Sequence, residues 1–153
     1  MTAPYSTYSG DLTVITQALY QKIDDNKSTF RIPVQAVHYG DQDRLPVTPA
    51  VCLEPGSKQR TLVGQPNMTQ NDFEVFILVY HDMIQSTALS RLQADQIAYD
   101  IEKLLHQDLQ LGGNLINGFV ASHESGYTYK VRTLYRAARL TYRGFNKTSL
   151  PFA

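Results

Sequence analysis

The chain has a single cysteine, no tryptophan and no net formal charge. Each shortage excludes something. A lone Cys52 cannot close an internal disulfide or complete a CxxC metal or redox motif, and it fits folding in a reducing compartment. The longest apolar run, VFILVY (75–80), is far too short to cross a bilayer. The first residues, MTAPYSTYSG, carry neither a basic run nor an apolar core, so no signal peptide is expected and the protein reads as soluble, with no membrane partner.

Motifs that carry chemistry are missing as well. His38, His81, His106 and His123 show no HxH or HExxH spacing and have no cysteine beside them. His81-Asp82 matches one pair from metal-dependent phosphohydrolases, without the further ligands such sites need. No GxSxG elbow is present, and LGGNLING (111–118) is neither a phosphate loop nor a dinucleotide fingerprint. The expectation is a protein that is not an enzyme, with no catalytic residue, metal or cofactor.

What is present fits one folded domain: 153 residues, 42% hydrophobic and 18% charged. The zero net charge conceals a division. From Ser125 onward there are six basic residues (Lys130, Arg132, Arg136, Arg139, Arg143, Lys147) and no acid, so the preceding 124 residues carry a net −6. An acidic body is followed by a basic terminal segment.

Hydrophobic spacing supplies the elements. In DLTVITQALYQKIDDN (11–26), Leu12, Ile15, Leu19 and Ile23 share one helical face behind a capping Asp11. Residues 26–44 read as a loop with at most a short strand near 34–38. LPVTPAVCLEPGSKQRTLVG (45–64) predicts two short strands about a Pro55-Gly56 turn, the first delayed or placed at an edge by Pro46 and Pro49. NDFEVFILVYHD (71–82) is apolar on both faces, which predicts a central strand.

SRLQADQIAYDIEKLLHQDL (90–109) predicts a second helix with Leu92, Ile97, Ile101, Leu104 and Leu105 inward, stopped by Gly112-Gly113. Then come GFVASHE (118–124), a turn at Ser125-Gly126, and a long strand from Tyr127 to about Arg143. In that strand Val131 and Tyr135 have one parity, and Ala138, Leu140 and Tyr142 the other, which predicts a bend near Ala137-Ala138. The fold class is α+β: a mainly antiparallel twisted sheet with two helices packed against it. Residues 1–10 are read as a flexible arm, 11–145 as the domain and 146–153 as a tail.

Several segments, taken in order, resemble the tail-terminator (tail-completion or neck) proteins of long-tailed bacteriophages. They are LTVITQALYQKI (12–23), LPVTPAVCLEPGS (45–57), TQNDFEVFILVYHD (69–82), ADQIAYDIEKLLH (94–106) and YRAARLTYRGFNKTSLP (135–151). The resemblance lies in element order and texture. It implies a small protein of the virion tail or neck, assembled in the host cytoplasm. Copies of it would form a ring, usually hexameric, on the tail tube protein and meet the head–tail connector. Genomic DNA would pass through the lumen without being read.

A ring requires unlike patches to meet, and an acidic body with a basic end suits that. Arg132, Arg136, Arg139 and Arg143 are the basic candidates for such an interface. Glu74, Asp82, Asp95 and Glu102 are the acidic ones. The alternative is a single-stranded nucleic-acid binder, in which Tyr129 and Tyr135 stack on bases among the same basic side chains.

Overall fold

Asp11 accepts a hydrogen bond from the Thr13 amide at 2.9 Å and so caps helix α1 (Leu12–Asn26), satisfying one of its free N–H groups. The structure is a computed structural model that describes residues 8–64, 67–83 and 87–149. After α1 follow strands β1 (Ala36–Tyr39), β2 (Ala50–Gly64) and β3 (Met68–Asp82), helix α2 (Thr87–His106), and strands β4 (Asn117–Lys130) and β5 (Thr133–Ser149). They build one five-stranded sheet in the order β1-β2-β3-β5-β4, antiparallel except for the short parallel pairing of β1 with β2. The expected α+β class is the one observed. No described helix is long and apolar enough to cross a membrane.

Both helices lie on one face of the sheet. Ile15, Leu19 and Ile23 of α1 and Ile97, Ala98, Ile101 and Leu105 of α2 meet Val75, Ile77, Val79, Ala138, Leu140 and Tyr142 in a single core. Each fully buried Leu or Ile there contributes roughly 1.5–3 kcal/mol relative to exposure. Leu92, expected inward, is 54% exposed. The inward stripe runs through Ser90, Ala94, Ile97, Ile101 and Leu105, and Leu92 sits about 140° around the helix from Ile97.

Among the described residues the second face is covered only at one end. There Leu45, Ala50, Cys52, Tyr80 and Tyr135 form a smaller cluster beneath the loop that follows β1. This arrangement removes the need for a bend in β5. Its register with β3 and β4 is unbroken at Ala137-Ala138, because Tyr135 and Ala137 face the small cluster while Ala138, Leu140 and Tyr142 face the main core. Opposite parities are buried on opposite faces.

Two expected turns are not turns. Ser125-Gly126 lies inside β4, paired with Ala138 and Ala137, and the reversal comes at Val131-Arg132, both left-handed (φ +45° and +67°). Pro55-Gly56 is a bulge within β2 and not a turn. Since β1 pairs only as far as Leu53, Pro55 lies on an open edge where its missing N–H is tolerated. A side chain on Gly56 would meet the Glu74 carbonyl oxygen at 2.7 Å, so the bulge needs glycine.

Helix α2 ends at His106, before Gly112 and Gly113, which instead take left-handed conformations in the following loop. Of the expected N-terminal arm, residues 1–7 lie outside the described residues. Residues 9 and 10 are tied to the sheet: Ser9 O accepts from Asn146 Nδ2 at 2.7 Å and Gly10 O from Lys58 Nζ at 2.8 Å. At the other end β5 continues through residues 146–149, and 150–153 lie outside the described residues.

Candidate interaction surface

The basic residues of the terminal segment are distributed by strand parity over both faces of the sheet. Arg139 and Arg143 point to the face away from the helices, in line with β3 and β4 neighbours. Arg143 Nε lies 3.1 Å from Glu74 Oε2, and Arg139 Nη2 lies 3.1 Å from Glu124 Oε2. The Arg139 guanidinium also stands 5.2 Å over the Phe76 ring. Two of the four basic candidates therefore have acidic partners within their own chain, and Glu74 is one of those partners. These are cross-strand pairs at the surface, each worth less than about 1 kcal/mol.

Arg136 points to the helix side. It is 5% exposed, its guanidinium lies 4.3 Å from the Tyr127 ring, and its Nε has no hydrogen-bond partner among the described residues. Arg132 occupies the tip of the β4–β5 hairpin and makes no ion pair among the described residues.

The other acidic candidates are scattered. Asp95 on α2 binds β4 through His123 Nε2 at 3.1 Å and Ser125 Oγ at 2.8 Å, and approaches Arg91 at 3.5 Å. Both His123 and Ser125 contact the same Asp95 oxygen, so the trio does not have the serine-to-histidine order of a hydrolytic triad. Asp82 ends β3, where its carbonyl accepts from Ser90 Oγ at 2.8 Å and fixes the start of α2. Glu102 borders a shallow hollow with Tyr99, Lys103 and His106.

A polar cluster that sequence reasoning missed holds the β1–β2 loop to the sheet. Asp41 Oδ1 accepts from the Tyr80 hydroxyl at 2.8 Å and from Lys130 Nζ at 2.9 Å, while Lys130 also reaches Gln42 O at 2.6 Å. The ammonium sits 4.8 Å over the Tyr80 ring. Burial, reinforced by the Asp41 contact, pushes the Tyr80 phenol well above its ordinary range. Burial also raises the Cys52 thiol. No sequence spacing links residues 41, 80 and 130; the GDQDR run gave the only hint, its polarity.

A concavity of about 440 Å³ lies on the face away from the helices, toward the far end of the sheet from the β4–β5 turn. Gln59, Asp72, Glu74, Phe119, Arg143 and Phe145 line it, and Phe119 is 49% exposed. Among the described residues no three His, Cys, Asp or Glu side chains gather as a metal site.

No protein-family model matches the chain, and no curated protein does. A solved structure whose name states no function is similar over 92% of this chain and 98% of its own, at 16% identity and a TM-score of 0.51. That likeness shows the fold alone.

Proposed function

We propose that this chain is a structural virion protein of the tail-terminator type. Copies join in a ring, hexameric in the family the sequence resembles, that caps the tail tube protein and meets the head–tail connector. Genomic DNA passes through the ring unread.

The observation that carries this reading is a sheet whose two sides pair with no further strand among the described residues. β4 forms one edge along its whole length, and β2 forms the other from Glu54 onward, its residues half-buried at Glu54 and Pro55 and exposed from Gly56. Open edges present unpaired backbone groups to a neighbouring chain. The two edges are different strands, so a contact between them joins unlike patches, as a ring requires. The successive antiparallel pairings make β2 and β4 antiparallel to each other. Copies related by rotation about an axis along the strands therefore meet in antiparallel register.

Negative-stain imaging and native mass spectrometry of the purified protein test the reading. Closed rings that cap purified tail tubes are expected. A strict monomer that leaves tubes uncapped would sink it.

A further inference from the structure

We infer that the sheet face away from the helices is the wall of the ring's lumen, and that Glu74 and Glu124 hold Arg143 and Arg139 back from the phosphates of the duplex passing along it. This rests on the ring reading and names the surface that the DNA meets.

When copies join through their β4 and β2 edges, the two broad faces of the sheet are left to look inward and outward. Their shapes are unlike. Both helices cover one face, whereas among the described residues the other is covered only by the loop after β1, at one end. The concavity of about 440 Å³ opens on that barer face, and its walls come from all four long strands: Gln59 of β2, Asp72 of β3, Phe145 of β5 and Phe119 of β4.

The edge strands are also bent at one level. Gly56 is the extra residue of β2 between Pro55 and Ser57, and Ala121 is that of β4 between Val120 and Ser122. Both bulges adjoin the Val75–Tyr142 pair, where β3 and β5 run on in unbroken register. A bulge bends its strand, so two at the same level curl both edges about a straight centre. The hollow lies on the side without helices, which makes that side the concave one. Sheets joined edge to edge around an axis turn their concave side towards it.

The charges of this face suit a wall that DNA slides past. Beyond the loop it carries four carboxylates, Glu54, Asp72, Glu74 and Glu124, against three cations, Arg139, Arg143 and Lys147, a net −1. Each arginine is met by a carboxylate on the neighbouring strand, Arg143 by Glu74 and Arg139 by Glu124, both at 3.1 Å. The two arginine side chains are 61% and 47% exposed, so these pairs add little to folding. What they govern is the field seen from the lumen. A bare guanidinium grips phosphate through paired hydrogen bonds, and the carboxylates occupy those donors.

The test uses rings of the full-length chain with one linear duplex and the same DNA as a covalently closed circle, since a closed ring can thread only the first. Wild-type rings should bind neither at about 100 mM salt. Glu74→Gln with Glu124→Gln frees both guanidiniums. Such rings should bind the linear duplex at least about tenfold more tightly, with a steeper fall as salt rises, and should still leave the circle unbound. Adding Arg139→Gln and Arg143→Gln should abolish the gain. A second readout needs no DNA, the native Cys52 being buried. Biotin coupled to the thiol of Asp72→Cys should be out of reach of streptavidin in rings and biotin on Leu92→Cys within reach, while dissociated chains present both. Equal binding of line and circle, no gain in affinity, or capture at position 72 in closed rings would each overturn the inference while the ring reading stands. If the wild type stays monomeric to about 1 mM, both fall together.

Discussion

Lys130 Nζ lies 2.9 Å from Asp41 Oδ1, joining the last residue of β4 to a loop 89 positions earlier in the chain. The lysine side chain is 8% exposed and the aspartate 38% exposed, so the pair straddles the boundary between core and solvent. Through it the loop is pressed over Cys52, Tyr80 and Tyr135, forming the only covered part of the second face among the described residues. The basic strand thus spends one of its charges on holding its own fold together.

Lys130→Met should therefore cost stability. Removing one member of a fully buried pair costs about 3–5 kcal/mol, and the half-exposed Asp41 can regain water, so about 2 kcal/mol is expected. For a chain this size that corresponds to a fall of about 4–8 °C in melting temperature. Native Cys52 should also become alkylated faster in the variant, since the loop that covers it loosens. Unchanged melting and unchanged alkylation would show that the pair is only decorative.

Stability should fall in alkali. Burial raises the Tyr142 and Tyr80 phenols above their ordinary value of 10.0. Above about pH 10 the unfolded chain releases these protons while the native chain keeps them, so the unfolded state binds fewer protons. The slope of unfolding free energy with pH is then negative, and the stability present below pH 10 is lost as pH rises further. The Tyr142 hydroxyl has no hydrogen-bond partner among the described residues. Tyr142→Phe should be equally or more stable at neutral pH and should show a shallower alkaline loss in urea titrations. A steeper loss would contradict the assignment.

Gly118→Ala should be destabilising by about 1–3 kcal/mol, the usual cost of overpacking. A β-carbon there would run into the Tyr142 hydroxyl and approach Leu115 Cδ1 at 2.8 Å. In a Tyr142→Phe background part of that clash disappears, so the two changes should couple by about 1 kcal/mol in a double-mutant cycle. Strict additivity would mean that the close approach is relieved some other way.

Helix periodicity made α1 and most of α2 legible, and the two apolar faces of NDFEVFILVYHD placed β3 centrally. The reason is that burial on one helical stripe or on both faces of a strand leaves a direct trace in residue spacing. The turns were less legible. Pro55-Gly56 and Ser125-Gly126 look like reversals locally, yet long pairing with β3 and β5 carries the chain straight through them. The true reversal uses Val131-Arg132, which no turn preference selects. The parity conflict in the terminal strand was visible, but its cause was a second buried face formed by a loop, and loop placement depends on contacts such as Lys130 with Asp41. For the candidate surface, the basic residues were evident, whereas the Glu74 and Glu124 partners depend on register.

The same placements set an expectation for nucleic acid. Tyr135 is 7% exposed and cannot stack on a base, and Lys130 is committed to Asp41. Arg139 and Arg143 have carboxylates beside them, which repel phosphate and weaken the attraction of that face. Tyr127 and Tyr129 remain exposed, with Arg136 and Arg132 nearby in the chain, too small a platform for a strand-tracking groove. Fluorescence anisotropy with a labelled oligothymidylate should show no saturable binding below about 100 µM at physiological salt. Tighter binding with a steep salt dependence, lost in Tyr129→Ala, would favour the single-strand binder over the ring, because it would require these few side chains to act as a nucleic-acid site despite the carboxylates around them.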